Sequence, residues 1–281
     1  MSLLGFLARR FVAGETADAA IAAALRLNAE GIKVTLDNLG EDCASAEQAA
    51  AAVAEYRLLL RRIAEAGVDG NVSLKLTQLG LNIDPALARD NLERVASEAA
   101  AQGGNFVRID MEGSAYTQRT LDLFYELLPR HPNLGVVIQA CLRRSEADVR
   151  ELARRGARVR LCKGAYKEPA ELAFQKKSEV DQSYDRLAGL LVAAPLPAFA
   201  THDDARIAAA VLAAERAGLP KGKYEIQMLY GLRRARWREL AAQGHAVRVY
   251  MPYGTHWLPY FSRRLRERKE NLIFVLRNLG R

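Results

Sequence analysis

Several features are scarce or missing in this sequence, and each scarcity excludes a class of protein. Cysteine occurs three times in 281 residues, at Cys43, Cys141 and Cys162. This odd, sparse set favours a reducing cytoplasm over a disulfide framework, and its wide spacing excludes a zinc or CxxC motif. Charged residues interrupt every apolar run, so no stretch approaches the length of a membrane-spanning helix. No low-complexity linker divides the chain.

Negative charge is also in deficit. The formal net charge is +8 at pH 7, and much of the excess lies in Arg-rich stretches at 233–236 and 263–268. Solvated helix faces are one explanation of such stretches. A site for an anionic small molecule, contact with an acidic membrane surface and nucleic-acid binding are the alternatives.

What the sequence does contain is a repeated pattern of strand, polar residue and helix. Short β-branched runs begin near residues 31, 71, 105, 134, 157, 197, 223 and 246, and an Ala/Leu/Arg-rich helical stretch follows each. Strands that alternate with helices indicate βα units and a parallel sheet. Eight such units in a chain of this size close most simply into a TIM-like (βα)₈ barrel of the α/β class.

Residue types typical of helix ends lie between the predicted strands. Ser45 precedes one helical stretch, Asp84-Pro85 opens another, and Ser145 opens a third. Glycines follow the ends of four predicted helices, at Gly67, Gly156, Gly218 and Gly244. These signals support the same division into elements.

Extra helices are predicted at both ends of the barrel. Two of them, at roughly 2–12 and 15–29, precede the first strand, and another lies near Asn271. We therefore expect one domain over residues 1–281, with N-terminal helices in 1–30 and the barrel in 31–281.

Polar side chains mark the ends of the predicted strands. Barrel enzymes place their chemistry at the carboxyl ends of the strands. Those ends carry, in order, Asp37, Lys75, Asp110, Gln139, Arg160 with Lys163, Thr201 and His202, Gln227, and Tyr250. A ring of hydrogen-bonding and cationic groups at one rim predicts a large polar ligand that carries negative charge.

The fifth predicted strand has the strongest local signal. It runs through Arg160 and Cys162 into Lys163-Gly164-Ala165. Glycine lets backbone N–H groups approach an anion closely, and lysine adds a point charge. A phosphate site and an ordinary turn glycine at a basic strand end are both compatible with this segment.

The sixth strand ends in Thr201-His202-Asp203-Asp204. The other histidines have no metal-ligand spacing with His202, so no metal site is predicted. We expect Asp203 or Asp204 to cap the next helix instead.

The last barrel unit combines aromatic and guanidinium groups. Tyr250 and Tyr260 precede Arg263 and Arg264, a combination that would hold a carboxylate attached to an apolar ring. A solvated helix face explains the two arginines equally well.

These segments together resemble the proline dehydrogenase family, and the match spans essentially every barrel strand from Val72 onward. Seven elements carry it in order: Ser73 to Leu76, Arg108 to Glu112, Gln139-Ala140, Arg160 to Tyr166, Ala200 to His202, Glu225 to Gly231, and Tyr250 to Arg264. The short chain is similar to the monofunctional bacterial members. The resemblance implies oxidation of L-proline to Δ1-pyrroline-5-carboxylate with FAD as cofactor, the first step of proline degradation to glutamate.

The resemblance implies a flavin site at matching positions. Gln139 and Arg160 hydrogen-bond the flavin ring, and Arg160 also has a catalytic role. The rest of FAD is secured by the basic turn, Lys163, Gly164 and Ala165. Four further residues line the cofactor: Met111, Thr201, His202 and Gln227.

The resemblance also implies a substrate site. The proline carboxylate pairs with three cations, Lys75, Arg263 and Arg264. The pyrrolidine ring packs against Leu229, Tyr250 and Tyr260. Asp110 is an active-site acid near Lys75.

Three positions depart from the family pattern. Cys141 lies where an aromatic residue is common, Cys162 where an aliphatic one is common, and Asp203 where asparagine is common. The cysteines alter packing, whereas the aspartate puts a cofactor contact at that side chain in doubt.

The implied partners follow from the chemistry. The resemblance implies that hydride passes from the ring carbon beside nitrogen to flavin N5, and that a membrane quinone accepts the electrons. By resemblance, we expect a cytoplasmic protein peripheral to the inner face of the membrane. Transient contact with pyrroline-5-carboxylate dehydrogenase is expected, and nucleic-acid binding is not.

Two rival hypotheses belong to other classes. Lys75 or Lys163 at a strand end would suit a Schiff-base aldolase barrel. A non-catalytic barrel whose Arg-rich helices bind nucleic acid is the second rival. Neither explains why polar groups crowd the strand ends in this order.

Overall fold

Parallel strands pair in sequence order and close into an eight-stranded barrel. The structure is a computed structural model, and it describes residues 11–258. The strands are β1 (Lys33–Asn38), β2 (Gly70–Leu74), β3 (Val107–Ile109), β4 (Leu134–Gln139), β5 (Arg158–Cys162), β6 (Ala198–Ala200), β7 (Glu225–Leu229) and β8 (Ala246–Tyr253). Closure comes from β1 and β8, which pair from Lys33↔Arg248 to Asn38↔Tyr253. The predicted barrel is confirmed.

Helices alternate with these strands along the chain. They are α1 (Ala17–Asn28), α2 (Ala46–Ala66), α3 (Pro85–Ala101), α4 (Ser114–Leu127), α5 (Ser145–Arg154), α6 (Lys177–Leu191), α7 (Asp204–Arg216) and α8 (Arg234–Ala242), with a 3₁₀ turn at Thr77–Leu79. The helix predicted at 15–29 is α1. The helix predicted near Asn271 lies outside the described residues, and so does nearly all of the one predicted at 2–12. None of the described helices is long and apolar enough to cross a membrane.

The predicted caps explain where several helices begin. Ser45 accepts the backbone N–H of Gln48 at 3.3 Å, and Asp84 accepts that of Ala86 at 2.9 Å. Ser145 has a different role, because α5 begins at that residue and its hydroxyl donates to the Gln139 carbonyl at 2.6 Å. This bond ties the start of α5 to the end of β4.

Strand alternation separates apolar from polar side chains. Along β1, Val34 and Leu36 join the hydrophobic core between strands and helices. The alternate residues Thr35 and Asp37 are also fully buried, and Thr35 donates to Asn71 of the neighbouring strand at 2.5 Å. Since successive side chains of a strand point to opposite faces, these polar groups lie inside the barrel. The interior is therefore rich in hydrogen bonds.

Candidate functional site

A cavity of about 1970 Å³ opens at the carboxyl ends of the strands. Pockets for drug-sized molecules usually measure about 300–1,000 Å³, so this one has room for a larger ligand. Every predicted site residue that the structure describes lines the cavity: Lys75, Asp110, Met111, Gln139, Arg160, Lys163, Gly164, Ala165, Thr201, His202, Gln227, Leu229 and Tyr250. The barrel thus brings together residues from seven strand regions. Tyr260, Arg263 and Arg264 lie outside the described residues.

Arg160 lies at the centre of what we call the inner network: Arg160, Asp110, Gln227, Tyr250 and Ser73. Arg160 Nη1 donates to Asp110 Oδ1 at 2.8 Å, and its Nε donates to Gln227 Oε1 at 2.6 Å. The guanidinium carbon also lies 5.3 Å from the centroid of the Tyr250 ring. Arg160 is buried, so these contacts are shielded from solvent and its orientation is well defined.

Asp110 joins three other members of the inner network. Besides Arg160, it accepts the Ser73 hydroxyl on Oδ1 at 2.6 Å and the Tyr250 hydroxyl on Oδ2 at 2.9 Å. Asp110 follows β3, whereas Tyr250 lies within β8, which extends past the predicted end of the strand. Charge-assisted bonds of this kind are stronger than neutral ones, and they fix Arg160 and Tyr250 relative to each other.

Lys75 approaches the cavity from the end of β2. Its Nζ lies 3.4 Å from Asp37 Oδ2, and the hydroxyl of Tyr56 donates to the other oxygen of Asp37 at 3.4 Å. Burial opposes charge on Lys75, yet the carboxylates of Asp37 and Asp110 outweigh it and raise the pKa of the ammonium above its usual value. Burial is also the main cause that raises the pKa of Asp37. Lys75 therefore stays cationic at neutral pH.

A second group of charges, which we call the outer cluster, surrounds Lys163. Its members are Lys163, Lys177, Arg206, Asp181, Asp185 and Asp203. Lys163 pairs with Asp181 and lies 2.9 Å from Asp203 Oδ2. The cluster holds equal numbers of basic and acidic groups, so it is formally neutral.

Asp203 has two structural roles. Its side chain accepts the backbone N–H of Ala205 at 3.1 Å, which confirms the predicted cap of α7. Burial acts to raise the pKa of Asp203, but the hydrogen bond and charge of Lys163 lower it to about 2. Asp203 is thus a carboxylate that caps a helix and anchors Lys163.

The turn after β5 contains the predicted glycine. Gly164 has φ +110°, and a Cβ there would lie 2.3 Å from Cys141 Sγ. Backbone conformation and close packing therefore both require glycine at this position. Nearby, the Ala165 N–H donates to Gln139 Oε1 at 3.4 Å, and Gln139 Nε2 donates to the Glu112 carbonyl at 2.9 Å.

The two cysteines that depart from the family pattern are poor nucleophiles. Burial raises the pKa of Cys141 to about 11 and that of Cys162 to about 12. Because the thiolate is the reactive form, both thiols are inert at neutral pH.

The end of β6 is fixed against β7. Leu229 N–H donates to His202 Nε2 at 2.9 Å, so the imidazole carries its proton on Nδ1 when neutral. Thr201 N–H donates to the Gln227 carbonyl at 3.1 Å. Within residues 11–258, no group of three or more His, Cys, Asp or Glu side chains could hold a metal ion.

Comparison with known proteins identifies the family. The family model described as proline dehydrogenase matches residues 20–277. The chain belongs to the proline dehydrogenase family. Proline dehydrogenase 1 of Bacillus subtilis strain 168 is 40% identical over 273 residues, which cover 97% of this chain and 90% of that protein. The proline dehydrogenase of Deinococcus radiodurans is 38% identical over 279 residues, with the same coverage.

Larger relatives contain the same unit. The bifunctional protein PutA of Escherichia coli K12 is 30% identical over 326 residues, which cover 99% of this chain and 24% of that protein. The crystal structure of proline utilization A from Bdellovibrio bacteriovorus, inactivated by N-propargylglycine, superposes with a TM-score of 0.86 at 29% identity. That match covers 93% of this chain and 32% of the other. The enzyme is thus a proline dehydrogenase with proline as substrate.

Several residues of the site had no predicted role. The sequence marks Asp37 as a strand end but does not predict its contact with Lys75. Asp181 pairs with Lys163 from α6, where no sequence signal marks it. Ser73 and Glu225 belong to the resembling segments, although only the cross-strand contacts reveal what they touch.

Proposed function

We propose that this proline dehydrogenase uses FAD to oxidise L-proline to Δ1-pyrroline-5-carboxylate and passes the electrons to a membrane quinone. The observation that carries the proposal is the inner network. It presents a buried, rigidly held guanidinium to a cavity of about 1970 Å³. A cavity of this volume has room for a dinucleotide and a small amino acid together.

The residues present fit a flavin. Arg160 Nη2 is buried and has no hydrogen-bond partner among residues 11–258, so the guanidinium retains a donor for a bound acceptor. Bound FAD would supply the hydride acceptor. Arg160 and Gln139 would hold its ring, and Lys163, Gly164 and Ala165 would hold the remainder. Met111, Thr201, His202 and Gln227 would complete the lining.

We infer that Lys75 binds the proline carboxylate together with Arg263 and Arg264. The raised pKa of Lys75 keeps it an ammonium, which supports ion pairing and disfavours the Schiff-base alternative, since imine formation needs the free amine. Leu229, Tyr250 and Tyr260 would pack against the pyrrolidine ring. Holding the substrate at a reacting-atom distance of about 3–3.5 Å is the main task of such contacts.

Asp110 would act through its hydrogen bonds. As a carboxylate it fixes Arg160 at Oδ1 and Tyr250 at Oδ2. The guanidinium and the phenol ring therefore keep one geometry while substrate binds. A positioned guanidinium stabilises charge as it develops in the transition state.

We also propose where the electrons and the product go. Net charge of +8 would favour peripheral contact with an anionic inner membrane face, where a quinone is available. Product would pass to pyrroline-5-carboxylate dehydrogenase by transient contact in the cytoplasm.

An absorption spectrum of the purified protein tests the proposal. We expect bound flavin whose visible band bleaches when proline is added without oxygen, and a quinone should restore the band. A colourless protein that also fails to bind added FAD would contradict the cofactor assignment. Trapping of a substrate adduct by borohydride would instead favour the lysine mechanism.

A further inference from the structure

A ladder of side chains runs from the base of the barrel to Arg160. Arg248 forms two bonds to Glu225, at 2.7 Å from Nη2 and 2.9 Å from Nε. Glu225 Oε2 accepts Gln227 Nε2 at 2.8 Å, and Gln227 Oε1 accepts Arg160 Nε at 2.6 Å. Glu225 and Gln227 lie two residues apart on β7, which places them on the same face of the strand.

The ladder allows the Gln227 amide one orientation. Arg160 Nε can only donate, so the amide oxygen must face it. A carboxylate can only accept, so the NH₂ group must face Glu225. Both neighbours thus select the same orientation.

Glu225 stays ionised because of its ion pair with Arg248. Glu225 and Arg248 are both buried, and Arg248 Nη1 also donates to the Val34 carbonyl at 2.6 Å. Burial acts to raise the pKa of Glu225, but the Arg248 guanidinium outweighs it and lowers the pKa to about 2. Glu225 is therefore an acceptor throughout the physiological pH range.

We propose that Glu225 is a positioning residue that holds Arg160 in its working orientation through the Gln227 amide. The inference rests on the proposed function, since it assumes that Arg160 acts on the flavin. Glu225 itself is not among the residues that line the cavity, so it would touch neither cofactor nor substrate. Its effect should therefore disappear when Gln227 can no longer transmit it.

A double-mutant cycle tests this transmission. Glu225→Gln replaces one acceptor oxygen by NH₂. In either orientation that NH₂ faces a donor of Arg248, and when it replaces Oε2 it also faces Gln227 Nε2. We expect anaerobic reduction of the flavin by proline to slow about tenfold, since one hydrogen bond contributes up to about 1.5 kcal/mol. In a Gln227→Met background the same change should have no further effect.

A second readout needs no substrate. The midpoint potential of the bound flavin should become more negative in Glu225→Gln, because a displaced guanidinium stabilises the electron-rich reduced ring less well. Tyr224→Phe is the matched control. Tyr224 precedes Glu225, is buried, and its hydroxyl lies 3.1 Å from His245 Nδ1, outside the ladder. The control should lose stability yet keep the wild-type rate and potential.

If Glu225→Gln does not fold, Glu225→Met/Arg248→Met replaces it, since exchange of a buried ion pair for apolar residues is usually tolerated. Slower reduction in that variant supports the inference. Additive effects in the cycle, an unchanged rate and potential, or equal slowing by Tyr224→Phe would overturn it. Failure of the wild-type flavin to be reduced by proline would instead contradict the proposed function.

Discussion

The inner network and the outer cluster each contribute side chains to the lining of the same cavity, but they differ in how their charges are arranged. In the inner network one arginine meets one carboxylate and neutral partners, and the side chains of Arg160 and Asp110 are 7% and 14% exposed. In the outer cluster three cations face three carboxylates, and Lys177 is 69% exposed. The inner network is buried and contains few charges, whereas the outer cluster has equal numbers of positive and negative charges and is partly solvated.

This difference in burial indicates that the two groups have different effects: one fixes side-chain orientation, and the other sets local charge. Buried hydrogen bonds are costly to break because the partner left behind cannot turn to water. Exposed pairs are screened by salt and contribute little. We therefore expect the inner network to control the rate of hydride transfer and the outer cluster to adjust cofactor affinity.

Loss of Arg160 should have the largest effect. Arg160→Ala removes the positioned donor, and such losses cost on the order of 10²–10³ in rate. Stopped-flow reduction of the flavin by proline would measure it, with Arg150→Ala on the exposed face of α5 as control. Substantial FAD should remain bound. Reduction at the wild-type rate would show that Arg160 has no part in the chemistry.

Protonation of Glu225 at low pH should have the next largest effect. The pKa of Glu225 is about 2 in the folded protein against an ordinary value of 4.5. The carboxylate therefore stabilises the fold above pH 4.5, and this contribution is lost as the pH falls towards 2. The loss is on the order of 3 kcal/mol in the free energy of unfolding.

Urea unfolding between pH 5 and pH 2 would test this dependence. In Glu225→Met/Arg248→Met the free energy of unfolding should change less over the same range. Identical acid profiles for the variant and the wild type would place the acid sensitivity elsewhere.

Lys75 should matter for substrate capture. Lys75→Met removes one cation from the proline carboxylate, and a charge-assisted hydrogen bond of ~1.5–3 kcal/mol corresponds to a tenfold to hundredfold fall in kcat/KM. Asp37, whose pKa is already raised by burial, can then take up a proton and remain buried. Lys33→Met at an exposed site is the control. Equal loss in both variants would indicate a general charge effect.

The fold could be predicted from sequence because the pattern of the barrel is local and repeated. A polar residue lies at or near the carboxyl end of each strand, and closure of the barrel converts this linear order into a ring. Boundaries differed slightly: β2 ends at Leu74, one residue before Lys75, and β8 continues to Tyr253. These differences arise because pairing with neighbours, not propensity, decides where a strand stops.

Contacts between distant segments could not be predicted in the same way. The Asp181–Lys163 pair depends on how α6 packs beside β5, and the Glu225–Arg248 pair depends on the register of β7 and β8. A single sequence records neither packing nor register. Asp203 illustrates both cases. Its position before a predicted helix indicates the cap, but no local sequence feature predicts its bond to Lys163.

The smallest expected effect concerns that aspartate. Asp203→Asn keeps a good cap for α7, since asparagine and aspartate cap helices about equally well, but it removes one of the two carboxylates that neutralise Lys163. The site then becomes more positive, so the anionic diphosphate of FAD should bind roughly twofold to fivefold more tightly, in line with a partly exposed ion pair of about 0.5–1 kcal/mol.

Titration of the apoprotein with FAD, followed by flavin fluorescence, would measure the change. Because the cluster is partly solvated, the gain should shrink as salt is raised. Asp204→Asn is the matched control, since that neighbour pairs with Arg233 and Arg236 instead. Weaker FAD binding in Asp203→Asn would mean that the carboxylate contacts the cofactor directly, and the outer cluster would then set geometry as the inner network does.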